Sequence, residues 1–260
     1  MPFSVASCDT TDHGHAMLAA VAAEPVPATL RASQCSTCPG RSKGLCAVLQ
    51  GAELSDFASI SRTKVLAAAR PLVRESERAD AVFTVVSGML KLYKMLPDGR
   101  QQITGFAASG DMVGLAFGEA YAYTAETVGA ATVCRTSRAS LTALMGRVPH
   151  MQMRLLAMTS VELTAAQDQI LLLGCKNAME RICSFLLALA RRTSDRDEAV
   201  PTVFLPMQKM DMGAYLGLRP ETLSRNFRKL EDAGLITRVS KMHIRLDDVA
   251  GLADMATKGD

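Results

Sequence analysis

Residues 207–246, MQKMDMGAYLGLRPETLSRNFRKLEDAGLITRVSKMHIRL, constrain the fold more than any other stretch of the chain. Their pattern predicts a short helix, a tight turn, a second helix and a two-stranded hairpin. Gly217 suits the turn because glycine tolerates a positive φ, and Pro220 suits the first position of the second helix, where no N–H is needed. Apolar residues then recur at i, i+4 and i+7, namely Leu223, Phe227 and Leu230. One helix face can therefore enter a core, as in a winged helix-turn-helix.

The opposite face of the second helix carries polar ends: Glu221, Ser224, Arg225 and Arg228. The N-terminal half of such a helix enters the DNA major groove. Arg225 can donate two hydrogen bonds to guanine, Glu221 can accept one from cytosine, and Arg228 suits a phosphate. Lys and Arg outnumber Asp and Glu in this segment, and Arg238 and Lys241 lie near the hairpin tip. The combination favours a DNA-reading surface over a charged face that is merely solvated and over a winged helix that binds protein.

A long helix is predicted after Pro149, where glycines nearly vanish and the helical pattern continues to a cap at Asn177. Two sets of residues recur every seven positions: Leu156, Leu163 and Ile170, and Thr159, Ala166 and Leu173. Together they form the narrow a/d seam of a two-stranded coiled coil, which favours a symmetric homodimer over a helix packed on its own domain. Asn177 and Glu180 resemble a capping box that opens a further helix, and residues 191–201 are predicted to form a loop.

Residues 63–135 contain short runs rich in Val, Leu, Ile, Thr and Tyr. Ser-Gly, Pro-Asp-Gly and Ser-Gly-Asp turns separate these runs at intervals of about ten residues, which is typical of an antiparallel sandwich or roll. The predicted fold class is α+β, with an N-terminal antiparallel β-roll, a long coiled-coil dimerisation helix and a C-terminal winged helix-turn-helix. The predicted segments are a flexible arm at 1–30, the cysteine segment and roll at 31–148, the dimerisation helix at 149–176, the winged domain at 177–249 and a tail at 250–260.

The bulk of the chain argues against membrane and secreted classes. Its apolar runs break well before the roughly 18 residues that a membrane span requires, and its N-terminus lacks the positive start of a secretion signal. We therefore expect a cytoplasmic chain with no membrane partner. In a reducing compartment, seven cysteines point to metal binding, redox sensing or core filling. No nucleophile–base set, phosphate loop or substrate-pocket motif is visible, which argues against an iron–sulfur or zinc enzyme.

Three cysteines stand close together in QCSTCPGRSKGLC, with the spacing C-x2-C-x7-C at Cys35, Cys38 and Cys46. The first spacing can bring two thiolates to one ion, and the longer second spacing can wrap around something larger. An iron–sulfur cluster and a four-cysteine zinc site each require a fourth ligand. On spacing alone, an iron–sulfur cluster, a zinc ion and incidental thiols all stay open.

The chain from Cys35 to Leu246 resembles the CRP/FNR family of bacterial transcription regulators. YLGLRPETLSR is similar to the FNR-type recognition segment, DGRQQITGFAASGDMVG to the FNR sensory roll, and AQDQILLL to the end of its dimerisation helix. The resemblance implies a cyclic-nucleotide-binding-like roll, RNA polymerase as a partner, and a homodimer that binds an inverted TTGAT repeat. Glu221, Ser224 and Arg225 would then be the base-reading residues.

The same resemblance implies a fourth cluster ligand. FNR proteins take it from a strand late in the sensory roll, and Cys134 of ATVCRTS stands at the matching place. Cys35, Cys38, Cys46 and Cys134 would hold a [4Fe-4S] cluster, with a cysteine spacing similar to the FnrN branch. The implied function is an oxygen-responsive regulator that is an active dimer at low oxygen. The alternative is a FixK-like regulator without a cluster, controlled by abundance or thiol oxidation.

Two other ligands are not expected. A cyclic-nucleotide pocket needs a carboxylate for the ribose and an arginine for the phosphate, but Gly114-Leu115 and Tyr123-Thr124 stand where the cyclic-AMP branch has these groups. Haem is not expected because no histidine lies in the predicted roll. Cys175 and Cys183 lie among apolar helical residues and are predicted to be core residues.

Overall fold

The computed structural model describes residues 34–115, 118–193 and 200–257. The predicted flexible arm at 1–30 lies outside these residues. No helix within the described ranges is long and apolar enough to cross a membrane. The described chain forms a β-roll, a long helix and a C-terminal winged domain, in that order. This architecture confirms the predicted fold class.

The elements of the roll are, in chain order, α1 (Gly51–Ile60), β1 (Ser61–Leu66), β2 (Pro71–Val73), β3 (Ala81–Ser87), β4 (Leu90–Met95), β5 (Gln101–Ala107), β6 (Met112–Val113), β7 (Thr124–Thr127) and β8 (Ala131–Ser137). The strands form two antiparallel sheets in the orders β1-β8-β3-β6 and β2-β7-β4-β5. Their core includes Val85, Leu90 and Val133, none of which has any exposed surface. Gly88 and Gly110, with φ of 85° and 93°, reverse the chain at predicted turns.

The N-terminal segment and the helices after the roll form a second core. These helices are α2 (Arg138–Arg147) and α3 (Pro149–Cys175). Leu45 and Leu49 of the N-terminal segment pack there with Leu144 of α2. Residues of the first sheet such as Val82 join the same core, so the N-terminal segment lies on the outer face of that sheet.

The long helix α3 begins at Pro149, where proline in the first turn sacrifices no helical hydrogen bond. Three of its seam residues, Leu156, Leu163 and Ile170, are 59%, 62% and 70% exposed in the single chain. A contiguous apolar stripe of this kind is the surface that a partner helix would cover.

The winged domain consists of α4 (Ala178–Thr193), β9 (Thr202–Phe204), α5 (Lys209–Leu216), α6 (Pro220–Asp232), β10 (Ile236–Arg238), β11 (His243–Leu246) and α7 (Val249–Met255). The predicted capping box closes the start of α4. The backbone N–H of Glu180 donates to Asn177 Oδ1 at 3.0 Å, and the backbone N–H of Asn177 donates to Glu180 Oε2 at 2.7 Å. These two backbone donors are thereby satisfied.

Three details of the winged domain correct the prediction. The wing has three strands because β9 pairs with β11, giving the order β10-β11-β9. Helix α4 continues through Arg191, where a loop was predicted, and ends at Thr193. The predicted tail at 250–260 instead contains most of α7, whose Leu252 has no exposed surface and packs into the domain core. For β9 and α7, a tertiary contact decides a structure that the local pattern leaves weak.

Candidate functional site

Helix α6 is the second helix of the helix-turn-helix. The apolar residues from which it was predicted hold it against the core of the winged domain. Leu223, Phe227 and Leu230 are 0%, 3% and 1% exposed and belong to the core of the winged domain. Gly217 ends α5 with a φ of 63°, and a Cβ at this position would lie 3.1 Å from Arg181 Nη1. The turn therefore requires glycine, and it sets the angle between α5 and α6.

The outer face of α6 presents the predicted DNA-reading residues. Glu221, Arg225 and Arg228 are exposed. Ser224 is half-buried, and its Oγ accepts a hydrogen bond of 3.1 Å from Lys209 Nζ. The four side chains thus share one solvent-facing surface with donors and acceptors that suit base edges and phosphates.

Two contacts beside this surface were not predicted. Lys209 was not assigned to the site because fifteen positions separate it from Ser224, and only the packing of α5 on α6 joins them. Arg238 of the wing donates from Nε and Nη2 to Glu231, each at 3.1 Å, and its guanidinium lies 6.0 Å from the centre of the Phe227 ring. Arg238 therefore anchors the wing to α6, whereas Lys241 is exposed at the wing tip.

The predicted dimerisation residues lie along α3. Four of them are exposed: Leu156, Leu163, Ala166 and Ile170. Thr159 is half-buried, and its hydroxyl donates to the carbonyl of Leu156 at 2.9 Å. Leu173 is also half-buried, because it packs against the core of the winged domain of the same chain. The exposed seam therefore ends at Ile170, and Leu173 joins the long helix to the DNA-reading domain.

The four predicted cluster ligands come from two separate parts of the fold. Cys35 and Cys38 lie in a turn that the backbone closes at 3.4 Å, and Cys46 follows in a short 3-10 helix. Cys134 lies on β8 beside Val133, whose side chain enters the core of the roll. Because neighbouring side chains on a strand point to opposite faces, Cys134 faces the N-terminal segment.

The four thiols are close enough to influence one another's ionisation. Burial, with the nearby charges of Cys38 and Cys35, raises the pKa of the Cys46 thiol to about 11. Burial is also the main reason that the pKa of Cys134 is raised to about 12, and the charges of Cys35, Cys46 and Cys38 act in the same direction. The packing of the N-terminal segment agrees with this: a Cβ at Gly44 would lie 3.4 Å from Thr84 Cγ2, and Thr84 is the cross-strand partner of Cys134. Cys134 therefore lies on the face of the first sheet that the N-terminal segment covers.

The donor set suits an iron–sulfur cluster. Among the described residues, no group of three His, Cys, Asp or Glu side chains is arranged to hold a metal ion, so the fit rests on the residue types. Four soft thiolate donors are the ligands that iron–sulfur clusters use.

The cysteine loop, which we define as residues 38–46, is packed tightly on the roll. A Cβ at Gly40 would lie 2.7 Å from the carbonyl oxygen of Val85 in β3, so any larger residue would displace the loop. Arg41 donates from Nη2 to the carbonyl of Leu49 at 2.9 Å. The backbone between Cys38 and Cys46 is therefore fixed to the outer face of the first sheet.

The two remaining described cysteines have different environments. Cys183 has no exposed surface and belongs to the core of the winged domain, as predicted. Cys175 is exposed at the end of α3, so the prediction of a core cysteine is wrong there. The helix ends at this residue, and the adjacent Leu172 and Leu173 supply the contacts to the core instead.

Tyr121 and Tyr123 form hydrogen bonds to the backbone of the roll. Tyr123 Oη accepts a hydrogen bond of 3.0 Å from the backbone N–H of Gly114, and Tyr121 Oη donates to the carbonyl of Ala81 at 2.9 Å. Burial raises the pKa of both tyrosines, which keeps them neutral. These hydroxyls pair with backbone groups of the roll itself.

Two family models match the chain. A Crp-like helix-turn-helix domain matches residues 180–255, and a cyclic nucleotide-binding domain matches residues 63–147. The first match extends through α7, which agrees with the packing of that helix into the winged domain.

Several curated relatives are similar over most of their length. The transcriptional activatory protein AadR of Rhodopseudomonas palustris is 37% identical over 81% of this chain and 89% of the relative. The nitrogen fixation regulation protein FixK of Bradyrhizobium diazoefficiens is 36% identical over 78% and 85%. The fumarate and nitrate reduction regulatory protein of Escherichia coli K12 is 32% identical over 76% and 79%.

Solved structures share the fold. FixK2 from Bradyrhizobium japonicum has a TM-score of 0.71 at 34% identity, covering 77% of this chain and all of that one. A CooA mutant from Carboxydothermus hydrogenoformans also has a TM-score of 0.71, at 18% identity, over 82% and 96% of the two chains. The second likeness concerns the fold alone.

Proposed function

Because this chain belongs to the CRP/FNR family of DNA-binding transcription regulators, we propose that it is an oxygen-responsive member. In this proposal a homodimer binds an inverted TTGAT-type repeat while a [4Fe-4S] cluster is intact at low oxygen. The observation that carries the proposal is that the segment with Cys35, Cys38 and Cys46 packs on the sheet face of Cys134, where Gly44 meets Thr84, the cross-strand partner of Cys134. Like these relatives, the chain is a regulator and not an enzyme.

The four cysteines would bind the cluster. When bound, a [4Fe-4S] cluster supplies a redox-active, oxygen-sensitive metal centre. Burial keeps the thiols of Cys46 and Cys134 protonated at neutral pH, so ligation must release their protons. A site shared by the cysteine loop and β8 would tie the N-terminal segment to the roll.

The exposed surfaces of α6 and α3 support DNA binding and homodimer formation. Glu221, Ser224 and Arg225 stand on the solvent face of α6, where a half-site would meet them. The exposed seam on α3 would provide the homodimer contact, and the dimer symmetry would match an inverted repeat. RNA polymerase is the expected further partner. Cyclic nucleotide is not the expected ligand, because Gly114-Leu115 and Tyr123-Thr124 offer neither the carboxylate nor the arginine that it would need.

Iron and sulfide analysis of protein purified without oxygen tests the cluster. We expect a brown protein with about four irons and four sulfides per chain. Cys134→Ser should lose most of this iron. Cys175→Ser is the matched control, because Cys175 is exposed at the far end of α3, and it should keep the iron. Colourless wild-type protein, or equal iron in the two variants, would contradict the proposed site.

A FixK-like regulator without a cluster is the second candidate. It is favoured by the similarity to FixK of Bradyrhizobium diazoefficiens and to the FixK2 structure. In that case colourless protein would bind the inverted repeat equally well with and without air. The same iron analysis therefore separates the two candidates.

A further inference from the structure

One arginine joins the cysteine loop to the long helix. Arg154, in the second turn of α3, donates from Nη2 to the carbonyl of Lys43 at 2.6 Å and from Nε to the carbonyl of Gly44 at 3.4 Å. These carbonyls immediately precede the 3-10 helix Leu45–Val48, which carries Cys46. A planar guanidinium can serve two adjacent carbonyls at once, which a lysine ammonium does less well.

Apolar packing supports this contact on the same side of the helix. Met151, Leu155 and Met158, at i, i+4 and i+7 of α3, belong to one hydrophobic cluster with Cys46 and the neighbouring Leu45. The cysteine loop is therefore seated on one face of the first turns of α3, with Arg154 beside it. A shift of Cys46 would act directly on this face.

The dimer seam begins on the adjoining face of the same turns. Leu156 and Thr159 follow Arg154 within five positions, and Leu163 lies about one turn beyond Thr159. Helix backbone transmits a local displacement because its hydrogen-bonded turns are rigid. A change in the position of the loop would thus alter how these seam residues meet a second copy.

We propose that Arg154 is a positioning residue that transmits the state of the cysteine site to the dimer seam through the carbonyls of Lys43 and Gly44. The inference rests on the proposed function, because it takes the four cysteines as the site whose state changes. Arg154 itself binds no iron. Its role is to hold the cysteine loop in a fixed position against α3.

Sedimentation of loaded and iron-free protein tests this role. Wild type, Arg154→Met and the control Arg147→Met are compared; Arg147 pairs with Asp56 at 3.6 Å on the surface, away from the cysteine loop. Removing iron should weaken the dimer of wild type and control. Arg154→Met should bind as much iron as wild type. Removing that iron, however, should change its dimer dissociation constant about tenfold less than it changes that of wild type. Three results would overturn the inference. They are a change in the Arg154→Met dimer as large as in wild type, failure of Arg154→Met to bind iron, and a wild-type dimer that iron removal leaves unchanged.

Alkylation of Cys46 separates failure of the inference from failure of the proposed function. The rate of reaction with iodoacetamide is measured by mass spectrometry on iron-free protein, so it does not require a cluster. Arg154→Met should react faster at Cys46 than Arg147→Met, because the loop is released from α3. Equal rates would show that Arg154 does not hold the loop, whatever the iron content of the wild type.

Discussion

Arg225 and Arg228 lie three positions apart on the exposed face of α6, yet we assign them different contacts. Arg225 is closer to the N-terminus of the helix, the part that enters the major groove, and it reaches base edges with Glu221 and Ser224. Arg228 is nearer the backbone of the duplex. One arginine should therefore determine sequence preference and the other general affinity.

Alanine substitutions distinguish these two roles. Arg225→Ala should weaken binding to the inverted repeat by about 1–3 kcal/mol and relax the preference at one base position. Arg228→Ala should weaken binding to all duplexes alike. It should also reduce the slope of the logarithm of the binding constant against the logarithm of the salt concentration by about one. Anisotropy titrations without oxygen, on the repeat and on a scrambled duplex at several salt concentrations, measure both. If Arg225→Ala keeps full discrimination between the duplexes, the base contact lies elsewhere.

At the scale of elements, α3 combines two faces with different tasks. One face seats the cysteine loop through residues such as Met151, and the next carries the exposed seam. Leu163 lies in the middle of that seam and is 62% exposed, while Val161 is 69% exposed but lies outside it. The pair allows the seam to be tested with one kind of substitution.

Leu163→Glu should dissociate the dimer, whereas Val161→Glu should leave it intact. In a symmetric coiled coil the first change places two like charges face to face and removes two apolar side chains, which costs about 2 kcal/mol or more. Analytical ultracentrifugation of both variants gives the dissociation constants. Equal constants for the two variants would place the dimer contact on another face.

The elements with strong local signals could be predicted from the sequence, and the weak ones could not. Gly217 and Pro220 mark the helix-turn-helix by backbone chemistry alone, and the seam of α3 follows from a seven-residue repeat. Strand β9 has only three residues, and its pairing with β11 is a tertiary contact. Helix α7 is similarly short and depends on burial of Leu252.

At the scale of the whole molecule, the helix-turn-helix is docked on the roll. Lys91 of β4 pairs with Asp211 of α5 at 2.9 Å and with Glu126 of β7 at 3.3 Å. Gln102 of β5 donates to the carbonyl of Ala214 at 2.7 Å. These contacts connect the β-roll to the winged domain within one chain. The sequence could not predict these contacts, because it does not indicate which of many charged and polar side chains far apart in the chain pair with one another.

Replacing Lys91 should destabilise this docking. Lys91→Met leaves Asp211, whose side chain is only 15% exposed, without its cation, and should lower the free energy of unfolding by about 1–3 kcal/mol. Lys94→Met, on the same strand, is the control. Its pair with Glu75 is 54% and 32% exposed and should contribute less than about 1 kcal/mol. Urea denaturation of both variants measures the difference, and similar losses would refute the special role of Lys91.

The same ion pair predicts a pH dependence. Burial alone would lower the pKa of Lys91, but the hydrogen bond and charge of Asp211, with those of Glu126, outweigh it and raise the pKa. A raised folded pKa means that the contribution is complete below the ordinary lysine value of 10.5 and is lost as the pH rises through the raised value. The stability gap between wild type and Lys91→Met should therefore be constant from neutral pH to about pH 9 and shrink above about 10.5. Urea denaturation across this range measures it, and a gap that shrinks near neutral pH would contradict the assignment.

The cysteine site also combines distant parts of the chain, since three of its residues precede the roll and the fourth lies on its last strand. The spacing of Cys35, Cys38 and Cys46 indicates a metal site, but the spacing alone does not identify the fourth ligand. The resemblance to the FNR regulators supplied Cys134, and the fold places that residue on the sheet face that the cysteine loop covers. The contact of Arg154 with the cysteine loop had no signal in the sequence, because it is made to backbone carbonyls.

The most direct test of the account is the binding of one protein sample to an inverted TTGAT repeat before and after exposure to air. Protein purified without oxygen should bind the repeat as a dimer, and the affinity should fall in step with the loss of iron as air is admitted. Unchanged affinity after all iron is lost would contradict the claim that the cysteine site controls the DNA-reading surface.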